Sequence, residues 1–91
     1  MRQAITTKFI APSNVKGSRV KASCQAGSLT LYWSHSLNSN ENHMAAAQAL
    51  ANKLGWDGKW HGGYNKDGEG VFVHCDENYD AFTIERKQHV A

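Results

Sequence analysis

The first stretch of the chain, residues 3–10, alternates: Ile5, Thr7 and Phe9 fall on one side and Ala4, Thr6 and Lys8 on the other. A period of two in Thr-, Ile- and Phe-rich sequence predicts a strand. Ala11-Pro12-Ser13-Asn14 ends it, and Gly17 closes the loop; Pro12, the only proline, stands where no ladder donor is needed. Residues 18–25 and 28–33 then flank Ala26-Gly27, which reads as a two-residue hairpin turn, with a three- or four-residue turn as the variant. In the two-residue register Gln25 faces Ser28, Cys24 faces Leu29, Ala22 faces Leu31 and Val20 faces Trp33. One face gathers Val20, Ala22, Cys24, Leu29, Leu31 and Trp33, and the other Arg19, Lys21, Ser23, Thr30 and Tyr32. A one-residue slip in either strand mixes the two sets.

The period then changes. Asn38 and Glu41 fit a capping box, with Asn38 as N-cap and Glu41 reaching back from the third helical position. Met44, Ala47, Leu50, Ala51 and Leu54 recur at helical spacing, so a helix is predicted from 39 to about 54. Gly55 supplies the left-handed residue after it, Lys53 suits its last turn, and Trp56 is placed to fold back onto that turn. The apolar stripe is mostly Ala, which lets the helix lie close on a sheet. Residues 59–64 and 69–75 around Asn65-Lys66-Asp67-Gly68 read as a second hairpin. Val71, Val73 and Cys75 share one face of it, expected inward, and Phe72 and His74 share the other. Gly62-Gly63 marks a bulge or a close backbone approach. Residues 76–80 form an acidic turn, and 81–86 alternate as a last or edge strand. The order β-β-β-α-β-β-β predicts one small α+β domain over residues 1–91, an antiparallel sheet of five to six strands covered on one face by a single helix.

Charge adds an asymmetry. Residues 1–40 carry five cations (Arg2, Lys8, Lys16, Arg19 and Lys21) and no Asp or Glu, whereas residues 41–91 carry five cations and eight acids. Such a split hints at an anionic partner for the basic half and equally suits a fold that sets a basic strand pair beside acidic loops. No apolar stretch approaches the ~20 residues of a membrane span. No apolar segment follows Met1-Arg2-Gln3-Ala4 to make a secretory signal. The expected setting is therefore cytoplasmic, and Cys24 and Cys75 are expected to stay reduced. With both assigned inward, a contact between them across the sheet is conceivable.

Two segments resemble a known group. They are Gln3-Ala4-Ile5-Thr6-Thr7-Lys8-Phe9-Ile10 with Pro12, Asn14 and residues 17–22, and Asn40-Glu41-Asn42-His43 with residues 45–47 and Leu54-Gly55-Trp56. Together they resemble small single-domain proteins encoded by bacteriophages, prophages and plasmids, over residues 3 to about 63. No enzymatic site carries across. The resemblance implies action by binding host machinery in the host cytoplasm, as anti-CRISPR and other anti-defence inhibitors do. The segment from Cys75 to Ala91 lies outside it.

The residues add no reaction. Five histidines (His35, His43, His61, His74 and His89) and two cysteines lack the paired spacing of a structural zinc site, and adjacent His74 and Cys75 point to opposite faces of a strand. Triples drawn from Cys24 or Ser36, His61 or His74, and Asp57 or Asp76 are the kind that chance supplies. Neither catalysis, metal nor cofactor is expected. The binding residues expected are Arg19, Lys21 and Tyr32 on the outer hairpin face, with Lys8 and Lys16 near. Trp60 and His61, beside Trp56 and Gly62-Gly63, are the alternative patch, and Asp76, Glu77 and Asp80 a phosphate-mimicking one. The expected function is non-catalytic binding and inhibition of a host protein or nucleoprotein complex, by a monomer or homodimer. The alternative is a nucleic-acid-binding module that pairs phosphate-neutralising cations with a stacking aromatic.

Overall fold

The computed structural model describes residues 3–75. Its elements are β1 (Ile5–Ile10), β2 (Arg19–Cys24), β3 (Gly27–Tyr32), α1 (Ser39–Lys53), β4 (Lys59–Tyr64) and β5 (Gly70–Cys75). The strands form one antiparallel sheet in the order β3-β2-β1-β5-β4. Two hairpins therefore flank a central β1, and α1 carries the chain from one edge of the sheet to the other. This is the α+β architecture that the alternating and helical periods predict. The strand expected at 81–86 and the acidic turn at 76–80 lie outside the described residues.

The helix begins and ends where its local chemistry dictates. Asn38 Oδ1 accepts from Glu41 N at 2.8 Å, and Glu41 Oε1 accepts from Asn38 N at 3.0 Å. At the other end Gly55 takes φ 73°. Gly55 N donates to Asn52 O at 3.1 Å and Trp56 N to Ala51 O at 2.8 Å, the paired bonds of a Schellman stop.

The core lies between α1 and the sheet: Ile5, Val20, Ala22, Ala46, Ala47, Leu50, Ala51 and Phe72. Three of these are helix alanines, so the helix backbone rides close to β1 and β2. Leu29, Leu31, Trp33, Leu54, Trp56 and Trp60 pack against this cluster half-buried, a shallower position than the sequence predicts for Leu29, Leu31 and Trp33. The buried helix stripe also differs from the expected one. Asn42, His43, Ala46, Ala47, Leu50 and Ala51 face in, while Met44 is 50% exposed. The two polar residues go inside because partners wait for them. Asn42 Oδ1 accepts from Ser34 N at 2.8 Å, and its Nδ2 donates to the carbonyls of Ser34, Leu37 and Asn38 at 3.0, 3.3 and 3.0 Å. His43 Nδ1 shares a 2.7 Å hydrogen bond with Thr7 Oγ1 in the interior.

The first hairpin turns at Gln25-Ala26, not at Ala26-Gly27. Cys24 pairs with Gly27, Ala22 with Leu29, Val20 with Leu31 and Arg19 with Tyr32. Each β2 residue thus meets a partner two positions earlier than expected. Because the strand period is also two, both faces keep their membership. Gly27 opens β3 instead of forming the turn, and a Cβ there would meet Leu54 Cδ2 at 3.6 Å, an ordinary van der Waals contact.

The second hairpin is turned over relative to expectation. Phe72 pairs with Ile5 and lies in the core, which puts Val71, Val73 and Cys75 on the open face. Glycines decide this. A Cβ at Gly62 would come within 3.0 Å of the Phe72 ring, and one at Gly70 within 3.0 Å of Thr7 Oγ1. Only bare backbone at these positions leaves space for Phe72 and Thr7 on the helix side. Cys24 and Cys75 consequently stand on opposite faces, with β1 between their strands, and make no contact. The 65–69 loop is locally closed: Asn65 Oδ1 accepts from Asp67 N and Glu69 N, both at 3.0 Å, and Gly68 takes φ 80°.

Candidate binding interface on the open sheet face

One face of the sheet carries α1; among the described residues the other carries no helix. On the open face the strand registers set side chains in transverse rows. Lys8 stands directly opposite Lys21, and Lys21 opposite Thr30. The next row holds Ile10, Arg19 and Tyr32. The row on the other side holds Thr6, Ser23 and Ser28. Lys8 and Lys21 are exposed, and Tyr32 is 70% exposed. Arg19 is half-buried, with Nε donating to Gly17 O at 3.3 Å.

Among the described residues this patch carries charge of one sign. No Asp or Glu occurs in β1, β2 or β3. Like charges directly opposite on neighbouring strands destabilise a sheet, and the Lys8–Lys21 pair is such a placement. Glu69, the residue before β5, is already engaged, its Oε1 accepting from Asn65 Nδ2 at 3.0 Å. Cations, four hydroxyls and one exposed phenol on a flat surface make a complementary face for phosphates or carboxylates.

Of the residues singled out from sequence, Lys8, Arg19, Lys21 and Tyr32 come together here. Lys16 lies in the exposed β1–β2 loop, at the Ile10–Arg19 end of the sheet, where Ser13 N donates to its carbonyl at 2.7 Å. Trp60 and His61 do not join the patch or each other. His61 shares the open face but lies on β4, three strand spacings from β2, or about 14 Å at ~4.8 Å per strand. Trp60 faces the helix side, paired with His74, stacked on Trp56 at 6.3 Å and donating from Nε1 to Trp56 O at 3.2 Å. The hydroxyl row was not singled out from sequence. Its signal is the alternation that places Thr6 and Ser23 outward, but aligning them requires the β1–β2 register.

The helix side has a feature of its own. Because α1 lies over β1 to β3, a groove of about 580 Å³ remains between it and β4. One wall is Asn40, Met44, Gln48 and Asn52, spaced four apart on the helix; Trp56, Trp60 and Tyr64 line the strand side. Tyr64 donates its hydroxyl to Asn40 Oδ1. His43 lies edge-on to both Trp33 and Tyr64, at 6.0 and 5.6 Å between ring centres, and burial holds its pKa below the ordinary histidine value.

Among the described residues no three His, Cys, Asp or Glu side chains gather as metal ligands, and no helix is long and apolar enough to cross a membrane. Comparison of the chain with protein-family models, curated proteins and solved structures finds no match.

Proposed function

We propose that the protein acts without catalysis, seating its open basic face on an acidic surface of a host protein or complex and blocking it. This is the mode of action implied by the resemblance to small phage-encoded anti-defence proteins. The observation that carries the reading is the Lys8–Lys21 pair, set directly opposite on an open face beside Arg19 and Tyr32 with no acid in those strands. Such a placement opposes folding and is relieved when carboxylates or phosphates cover it. A second reading, direct binding of single-stranded nucleic acid, is favoured by one detail. Tyr32, at 70% exposure opposite Arg19, offers a ring face for base stacking.

One experiment separates them. The tagged protein is used to capture partners from bacterial lysate with and without nuclease, alongside the Arg19→Glu/Lys21→Glu variant. A protein retained after nuclease, lost with the double reversal and weakened by salt supports the first reading. Capture that vanishes with nuclease supports the second. In that case binding to a labelled oligothymidine should fall on Tyr32→Ala, with a log–log salt slope of about −2 for three cations on a single strand. Nuclease-resistant capture that survives the double reversal and high salt would overturn both.

A further inference from the structure

The two edges of the sheet are unequally protected. On β3, a two-residue turn leaves Cys24 and Gly27 as the bonded pair, so alternation aims the Ser28 carbonyl away from β2. Lys53 Nζ donates to that carbonyl at 3.2 Å, a lysine lying along an edge as natural sheets use to discourage pairing. Among the described residues β4 has no such cover. Asn65 N donates to Glu69 O at 2.9 Å, which starts the alternation of the second hairpin. From that pair, Gly63 and His61 exchange bonds with β5, while Tyr64, Gly62 and Trp60 aim their N–H and C=O groups outward. The strand interior, Trp60-His61-Gly62-Gly63-Tyr64, contains no charge and no proline.

From this geometry we infer that β4 pairs antiparallel with β4 of a second copy of this chain, in the register centred on Gly62. The two five-stranded sheets then become one continuous sheet. This edge is self-complementary. Centring on Gly62 is the one symmetric register that matches all three outward-facing positions: Gly62 opposite Gly62 of the second copy, and Trp60 opposite its Tyr64, twice. On the helix side, each large aromatic then meets an aromatic across the strand, and the rings bracket the glycine pair at the centre. On the open side, His61 meets Gly63 of the second copy. Each end of the strand carries one cation and one acid nearby, Asp57 and Lys59 before it and Lys66 and Asp67 after it, so the antiparallel arrangement brings no net repulsion. Half of the Tyr64 surface is exposed at this edge in the single chain.

The register is testable by crosslinking. With Gly62 as a bonded pair, positions 61 and 63 of opposite copies form a non-bonded pair, where Cα atoms lie about 4.5 Å apart and a disulfide closes readily. Nothing lies within 4 Å of a Cβ added at Gly63, so a cysteine fits there. In a Cys24→Ser/Cys75→Ser background, His61→Cys and Gly63→Cys are made separately. Each alone should stay monomeric on a non-reducing gel after mild oxidation, and an equimolar mixture should give a crosslinked dimer. Sedimentation of the unmodified protein at tens of micromolar should show a dimer. Tyr64→Lys should convert it to a monomer with unchanged circular dichroism. A monomer at every concentration, a crosslink by either variant alone, or a dimer that persists in Tyr64→Lys would each overturn the proposal. A monomer whose β4 amides slow their exchange only with an added extended peptide would assign the edge to that peptide instead.

Discussion

Replacing Gly62 by alanine tests whether a missing side chain sets the orientation of the second hairpin. The Phe72 ring lies across Gly62 from the neighbouring strand, and a methyl group there would approach its Cδ1 and Cε1 to within 3.0 Å. Phe72 has little room to retreat. It is 8% exposed, pairs with Ile5, and its Cε2 lies 3.0 Å from where a Cβ on Gly70 would be. Overpacking of this kind costs about 1–3 kcal/mol. The lost freedom of the unfolded chain offsets about 0.4–1 kcal/mol of that. The net expectation is a loss of about 1–2 kcal/mol, or a fall in Tm of roughly 4–15 °C for a domain of this size. Gly63→Ala is the control: nothing lies within 4 Å of its added Cβ, so it should be neutral or slightly stabilising. Urea titration of dilute protein, followed by circular dichroism, gives both values at a common m. In the Gly62→Ala background, Phe72→Leu should cost less than it does in the wild type, a coupling that a double-mutant cycle isolates. Equal stabilities for the two alanine variants, or strict additivity with Phe72→Leu, would refute the account.

Asn42→Ala should destabilise by about 2–3 kcal/mol, because the Ser34 amide and three loop carbonyls lose a buried partner at once. Hydrogen exchange at Ser34 should quicken in the same variant. For His43 the sign follows from burial, which lowers its folded pKa below its unfolded one. Between the two values the unfolded chain binds more protons, so this contribution to stability is complete above the ordinary value of 6.5 and is lost as pH falls through it. Unfolding midpoints measured from pH 7.5 to 5 should show the extra acid loss in the wild type and not in His43→Gln.

The elements that local chemistry writes were legible. Alternation sorted Arg19, Lys21 and Tyr32 from Val20, Ala22 and Leu31, and that sorting survived a two-residue error in the turn because the error matched the strand period. The capping box and Gly55 bounded the helix because both are short-range hydrogen-bond arrangements. What failed depends on residues far apart in the chain. Val71 and Phe72 are both apolar, and the choice between them is made on β4 by Gly62. Asn42 and His43 look like solvent-facing residues until the 34–38 loop and Thr7 supply their partners. The patch was half visible for the same reason. Arg19 and Tyr32 belong to one hairpin, but the position of Lys8 against Lys21 depends on a register set across the irregular 11–18 loop.

The off-centre seat of α1 has a consequence for motion. β1 and β2 are laddered over five residue pairs and roofed by the helix, whereas β5 joins β1 through only three: Ile5–Phe72, Thr6–Val71 and Thr7–Gly70. These three pairs also close the longest span of sequence in the sheet, the most expensive contacts to form and the last to repay their loop entropy. The β4–β5 hairpin should therefore open at lower cost than the three-stranded part under its helix. Its amides should exchange through a lower-energy opening than those of β1 and β2. Among the described residues, the three-stranded half displays the charge, and the half joined by fewer pairs offers the outward-facing backbone of β4.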